Sequence, residues 1–276
     1  MVSPESRPSV VRRQLGRRLR QLRESAGYMI EDVITAGVAS RTKVWRMEAG
    51  RASVRVGDVL ALGRLYSADQ TSIDELVQLA EATKATGYAE DITAAVRKPL
   101  WMYADLEAGA DAMADFNCQL VPGLLQCEDY LRAIMYETPA LSPRPAEQRI
   151  AFRLDRQRAF FDRAQPGQMD AVITAGALSL QVGSASVMEA QHEHLRALTS
   201  RDGVSIRVLP VDNGLHPTMA GSFTILDFDN PDDPSVVCVE NVIEMRYYDR
   251  AEQVARFRTE FEQLRSQAVP VKDYLE

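Results

Sequence analysis

Residues 40–51 form a short basic segment, Ser-Arg-Thr-Lys-Val-Trp-Arg-Met-Glu-Ala-Gly-Arg, which begins with a serine and has a glycine near its end. The Ser40 hydroxyl can accept from the unpaired amides of a first helical turn, and Gly50 tolerates the left-handed conformation that ends a helix. Val44 and Met47 are three residues apart, so a helix places them on one apolar face. The outward face of this predicted helix carries Arg41, Thr42, Lys43 and Arg46.

Two more helices are predicted upstream of this segment. An apolar stripe with helical spacing, followed by Gly27, predicts the first; it consists of Leu15, Leu19, Leu22 and Ala26. The opposite face of that helix is predicted to carry Arg12, Arg13, Arg17, Arg20 and Arg23. Residues 29–36 predict a short second helix, and Gly37 supplies the turn after it. A charged helical face is usually only a solvated face, but two short helices joined by a glycine turn are typical of a helix-turn-helix.

The order of these residues resembles a known DNA-binding family. Leu-Arg-x-Leu-Arg-x-x-x-Gly, followed by Ser-Arg-Thr-x-Val-x-Arg-Met-Glu-x-Gly-Arg, is similar to the helix-turn-helix domain of the xenobiotic-response-element type of repressor. The resemblance covers about the first third of the chain, and it implies that the start of the third helix enters the major groove. The groove-contacting residues would be Ser40, Arg41, Thr42, Lys43 and Arg46. We assign Arg17, Arg20 and Arg51 to the phosphate backbone. Ile30 stands where the family usually has a glutamine that contacts phosphate.

Charge is distributed unevenly along the 276 residues. The net charge of −7 argues against a nucleic-acid binder, but residues 1–66 contain 13 Lys plus Arg against 6 Asp plus Glu. The other 210 residues contain 19 against 33, so the two parts carry +7 and −14. Only the amino-terminal part has the charge that phosphate binding requires.

The remaining patterns divide the chain into two domains. Residues 56–66 predict a fourth helix, and Ser72 and Glu75 form a capping box that predicts a fifth. We therefore predict a DNA-binding domain over 1–83, a linker over 84–100 and a second domain over 101–276. The fold class is α+β, with a five-helix bundle followed by a mixed α/β domain.

Helices and strands alternate in the predicted second domain. Helices are predicted over residues 102–117, 149–162, 187–198 and 250–267. Another is predicted after Pro122-Gly123 and ends at about residue 136. Strands over 170–175 and 204–209 enclose one of these helices and predict a βαβ unit, and strands over 222–227 and 235–240 predict a hairpin. The arginines of the 149–162 helix could face nucleic acid, but in so acidic a region salt bridges or a dimer face are the preferred interpretation. They are Arg149, Arg153, Arg156 and Arg158.

A second resemblance covers about residues 100–270. Leu-Val-Pro-Gly-Leu-Leu-Gln at 120–126, His216-Pro217, Gly-Ser-Phe-Thr at 221–224 and Val-Glu-Asn at 239–241 are similar to a domain of unknown function. That domain follows a helix-turn-helix in many actinobacterial regulators described as antitoxin-like. The resemblance implies a transcription factor that is often encoded beside a small partner protein, and it implies no enzymatic activity.

No pattern predicts a catalytic, metal or cofactor site. His192 and His194 are two residues apart and point to different helical faces, so we interpret them as surface histidines. The aspartates of residues 227–233 lack the glycine of a calcium loop. Cys118, Cys127 and Cys238 are interpreted as reduced, packed thiols. The first ten residues do not form a signal peptide, and no apolar run approaches a membrane span, so we expect a cytoplasmic protein.

Two functions remain open for the second domain. It either receives a partner protein or contains a small-molecule pocket, and in both cases the chain is a regulator that binds an operator in double-stranded DNA. Because one five-helix unit covers only a half-site, we also expect a homodimer whose contacts lie in the second domain.

Overall fold

The computed structural model describes residues 10–83, 100–137, 145–216, 218–229, 233–241 and 245–276. These residues belong to two compact units, one containing the amino-terminal helices together with residues 241 and 245–247, and the other residues 103–240 and 248–276. The segments interpreted above as a non-signal amino terminus and as a linker lie largely outside the described residues. The α+β fold class is confirmed, because helices precede a mixed sheet with further helices.

Five helices form the amino-terminal part of the described chain. They are α1 (Val10–Ser25), α2 (Ile30–Thr35), α3 (Arg41–Glu48), α4 (Val56–Leu65) and α5 (Gln70–Ala82). Helix α1 packs against α3 and α5, and α4 packs against α5. Leu15, Leu19, Val33 and Met47 are buried in this bundle, as their helical spacing predicts.

Three details of the bundle differ from the sequence-based predictions. Helix α5 begins before the expected capping box, because the Asp69 carboxylate caps it by accepting from the Ser72 amide at 2.9 Å. Ser72 therefore lies inside the first turn. Arg23 was expected on the solvated face of α1, but it is buried because it pairs with an acidic residue of α3. Ala26, expected on the apolar stripe, is exposed.

The downstream chain contains seven helices and seven strands among the described residues. The helices are α6 (Leu100–Gly109), α7 (Glu128–Glu137), α8 (Ala146–Phe161), α9 (Ala175–Ser179), α10 (Ala185–Leu198), α11 (Ala251–Gln267) and α12 (Val271–Tyr274). The strands are β1 (Ala112–Asn117), β2 (Gln168–Thr174), β3 (Val204–Leu209), β4 (Phe223–Asp227), β5 (Val236–Glu240), β6 (Met245–Tyr248) and β7 (Val269–Pro270).

One mixed sheet joins these strands in the order β6-β5-β4-β1-β2-β3-β7. Strands β2 and β3 are parallel and are separated by α9 and α10, so the predicted βαβ unit is confirmed. Strands β4 and β5 are antiparallel neighbours, so the predicted hairpin is confirmed as well. The prediction of one helix over 102–117 is wrong, since residues 112–117 form β1 between β2 and β4.

The two faces of the sheet differ in chemistry. One face forms an apolar core with α11, and its members include Phe116, Val172, Phe223, Ile225, Val237, Val254, Phe261 and Leu264. On the other face Asp115, Thr224 and Cys238 are consecutive register partners across β1, β4 and β5. All three are buried. The Asp115 carboxyl is therefore buried on this face of the sheet, and the charges of Glu107 and Arg156 influence its pKa.

Candidate nucleic-acid interface

Helix α3 is fixed at both ends by the residues that its sequence indicates. The Ser40 hydroxyl accepts from the Lys43 amide at 3.3 Å, and Gly50 has a φ of 66° after the last turn. Val44 and Met47 are buried against the bundle. The predicted recognition helix therefore forms with the expected apolar face, and its opposite face points away from the core.

Helices α1 and α3 pack so closely at Gly16 that their backbones are in contact. A Cβ atom added at Gly16 would lie 2.5 Å from the carbonyl oxygens of both Met47 and Glu48. Arg23 reinforces this contact, since its Nε donates to Glu48 Oε1 at 2.7 Å and its Nη1 donates to the Tyr28 carbonyl at 2.8 Å. Hydrogen bonding to Glu48 raises the pKa of Arg23. The bundle thus holds α3 in one position.

Thr42 and Arg46 occupy the centre of the exposed face of α3. They are four residues apart, hence on one side of the helix, and both are exposed, whereas Val44 and Met47 face the opposite direction. Among the described residues Arg46 has no ion-pair partner. Its guanidinium is therefore available to an acceptor outside the chain.

Arg41 and Lys43 lie on either flank of that face, and each is paired with a neighbouring helix. Arg41 meets Glu31 of α2 at 2.5 Å, and Lys43 meets Asp58 of α4 at 2.6 Å. The four side chains are exposed to different degrees, but both ion pairs are in contact with solvent. Such pairs contribute little to the stability of the fold. An incoming phosphate or base edge can therefore compete for either cation at small cost.

Trp45 is an exposed aromatic residue that sequence reasoning did not single out. Its side chain lies on α3 with half of its surface exposed, and the Arg51 guanidinium lies 5.2 Å from the ring centroid. The Arg51 amide donates to the Arg46 carbonyl at 2.8 Å, which brings the chain back over the end of α3. The sequence signal that could have indicated Trp45 is its position in α3 between Val44, on the apolar face, and Arg46, on the outward face.

The two backbone candidates on α1 are in different environments. Arg20 is exposed and pairs with Glu24 at 2.8 Å, one helical turn away. Arg17 is half-buried and also has an interaction partner. Both remain candidates for phosphate contact, but each must exchange or share an existing partner to make one.

Two family models match the chain. Residues 14–76 match the helix-turn-helix domain, and residues 101–275, more than half of the chain, match the domain of unknown function DUF5753. The chain belongs to the DUF5753 family. No curated protein and no solved structure matches it. The first match begins within α1 and ends within α5, so it includes α3 and supports a DNA-binding regulator rather than an enzyme.

The DUF5753 domain contains several of the residues considered above. His192 and His194 are both partly exposed, and burial lowers the pKa of His194. His216 packs edge-on against Phe116 with ring centroids 5.6 Å apart. All three cysteines are free thiols, and Cys238 is buried.

The described ranges provide neither a metal-binding cluster nor a membrane-spanning helix. They contain no group of three or more His, Cys, Asp or Glu arranged to hold a metal ion. No helix in those ranges is both long and apolar enough to cross a membrane.

Proposed function

We propose that this DUF5753 protein is a sequence-specific transcriptional regulator, a repressor that binds operator DNA as a homodimer in the cytoplasm. One observation carries the proposal: α3 presents Thr42 and an unpaired Arg46 at the centre of its exposed face. This helix lies inside the segment that matches a helix-turn-helix domain. The positive charge of residues 1–66 favours the same partner.

Arg46 is the first candidate for reading a base. The planar guanidinium matches the O6 and N7 acceptors of guanine, and a bidentate contact of this kind discriminates by roughly 1 to 3 kcal/mol. Arg41, Thr42 and Lys43 lie beside it, and the Ser40 cap sits at the helix end that enters the groove. Arg17, Arg20 and Arg51 are assigned to phosphate, which positions the helix without specifying a sequence.

The test begins with operators selected from random duplex DNA by the full-length protein. Arg46→Ala should weaken operator binding about 5- to 150-fold and flatten the preference at one base pair. Arg64→Ala, an exposed arginine of α4, is the matched control and should change neither quantity. Equal losses on operator and random DNA would make Arg46 a phosphate contact, and selection that yields no operator would reject the function.

The homodimer has its own test. Modules of this kind gain specificity by placing two recognition helices about one turn of DNA apart. The operator should therefore have pseudo-twofold symmetry, and the protein should have a dimeric mass in solution at micromolar concentration. An asymmetric footprint together with a monomeric mass would reject the dimer.

The DUF5753 domain is proposed to receive a small partner protein, in an antitoxin-like arrangement. Its acidic composition does not favour contact with phosphate, so DNA binding alone does not explain why the chain contains this domain. The partner would change operator affinity only by its differential affinity for the free and DNA-bound forms, for which couplings of roughly 1 to 3 kcal/mol are common. Linkage is reciprocal, so operator DNA must change the dissociation constant of the partner encoded nearby. An unchanged constant would reject this arrangement.

A further inference from the structure

Helix α8 contains one arginine that differs from its three neighbours. Arg149 donates to the Met135 carbonyl, Arg156 pairs with Glu107 and Arg158 pairs with Asp155. Arg153 makes no hydrogen bond and no ion pair with any residue that the structure describes. The expected salt bridges therefore form at Arg156 and Arg158, and none forms between Arg153 and any described residue.

Arg153 is half-buried beside a second guanidinium. A Cβ atom added at Gly123 would lie 2.8 Å from Arg153 Nη1 and 3.9 Å from Arg156 Nη2, so both side chains border the same glycine. The backbone at this point is held in place, because the Gln157 side chain donates to the carbonyls of Gly123 and Gln126 at 3.0 and 2.8 Å. The backbone beside Arg153 is therefore fixed by side-chain hydrogen bonds.

Charge balance distinguishes the two arginines. Arg156 makes two hydrogen bonds of 2.7 Å to the Glu107 carboxylate, and both residues are buried, so this pair is neutral as a unit. Burial and the neighbouring charge of Arg156 lower the pKa of Arg153 to about 10, against weaker opposing effects of Glu240 and Glu107. Arg153 is still charged at neutral pH, and it has no directly bonded counterion among the described residues; Glu240 acts on it only through its charge.

We propose that Arg153 anchors a binding site for the carboxylate group of a small molecule. A carboxylate carries one negative charge, equal and opposite to that of the Arg153 guanidinium, and its two oxygens match the guanidinium fork. A doubly charged phosphate would leave an excess negative charge near Glu107, where burial makes it costly. Arg153 is not fully buried, so an anion would approach it from the part of its surface that is exposed. The site belongs to the DUF5753 domain and does not depend on DNA binding.

Acetate is the probe, and the full-length protein is the sample. The midpoint of thermal unfolding should be higher in sodium acetate than in sodium chloride at equal concentration, because a ligand of the native state stabilises it. Arg153→Gln should remove that difference. Arg158→Gln, which changes an exposed arginine of the same helix, should leave it intact. An acetate-specific increment that survives in Arg153→Gln would overturn the proposal.

A second measurement does not rely on the stability of a variant. In the native protein the side-chain Nε–H signal of Arg153 should shift saturably as acetate is added, and it should shift much less with inorganic phosphate. The signal is assigned by its loss in Arg153→Lys. No shift with acetate, or saturation by phosphate at equal or lower concentration, would exclude a site selective for carboxylate.

Discussion

Arg23 of α1 and Glu48 of α3 form a two-point ion pair that is shielded from solvent. The Nε–Oε1 and Nη2–Oε2 distances are 2.7 and 3.0 Å, and the two side chains are 7% and 10% exposed. The same guanidinium donates to the Tyr28 carbonyl, two residues before α2 begins. One side chain therefore joins the three helices that form the DNA-binding motif.

Removing one partner of this pair should destabilise the bundle strongly. Glu48→Gln leaves the buried Arg23 charge with only the exposed Glu24 carboxylate, at 3.4 Å, as a counterion. The free energy of unfolding should therefore fall by up to roughly 3 to 5 kcal/mol. Urea unfolding of the full-length protein measures the change. The double variant Arg23→Met, Glu48→Met should recover a large part of the loss, whereas Arg20→Gln, in the exposed pair with Glu24, should cost about 0 to 1 kcal/mol. Equal effects of Glu48→Gln and Arg20→Gln would contradict the structural role of the buried pair.

Gly16 and Gly57 should respond in opposite directions to the same substitution. Both are helical, and alanine is favoured over glycine in a helix by about 0.8 to 1.0 kcal/mol. A Cβ at Gly57 meets open space, so Gly57→Ala should raise the urea midpoint. A Cβ at Gly16 meets two carbonyl oxygens at 2.5 Å, so Gly16→Ala should force α1 and α3 apart and lower the midpoint. Similar midpoints for the two variants would show that this close helix contact is absent.

Local signals in the sequence predicted helix α3 well. The Ser40 cap, the Val44 and Met47 spacing and the Gly50 stop act within a few residues, so each could be read without knowing the rest of the fold. Arg23 could not be placed in this way. Its burial depends on Glu48, 25 residues away, and a charge that is expected on a solvated face enters the interior only when a partner is present.

Strand β1 was mistaken for helix for a related reason. Ala112, Ala114 and the apolar Met113 and Phe116 are compatible with both periodicities, and Asp115 argues against a buried strand. The strand is stabilised by β2 and β4, which come from distant parts of the chain, and the Asp115 carboxyl is accommodated because Thr224 donates to it at 3.3 Å. Tertiary pairing overrides local propensity here. Trp45 was overlooked although it lies between Val44, on the apolar face, and Arg46, on the outward face; its exposure is seen in the structure.

Trp45 and Arg51 should act together in DNA binding. The indole face holds the Arg51 guanidinium in a position next to α3, so Trp45→Ala should weaken operator binding about 2- to 5-fold, the range of an exposed cation–π contact. Trp45→Phe, which keeps an aromatic face, should lose less. In a double-mutant cycle the effect of Trp45→Ala should disappear in the Arg51→Ala background. Full additivity would show that the two residues act independently.

Asp115 should make the stability of the DUF5753 domain depend on pH. Burial raises the pKa of this carboxyl to about 7, and hydrogen bonds from Asn117 and Thr224 oppose that rise only in part. The folded state therefore binds a proton that the unfolded chain releases near pH 4. A group of this kind contributes stability below its unfolded pKa, and this contribution is lost as the pH rises towards the folded pKa.

The free energy of unfolding should accordingly fall by up to about 4 kcal/mol between pH 4 and pH 8 through this group alone. Asp115→Asn removes the titration while keeping a polar side chain of the same shape, so it should flatten this part of the profile and stabilise the domain at pH 8. Asp155→Asn, an exposed carboxylate of α8, is the control and should keep the slope. Urea unfolding at pH 5, 6, 7 and 8 compares the three proteins. An unchanged slope in Asp115→Asn would mean that the Asp115 carboxyl is ionised in the folded protein over this range, with Arg156 rather than a bound proton balancing its charge.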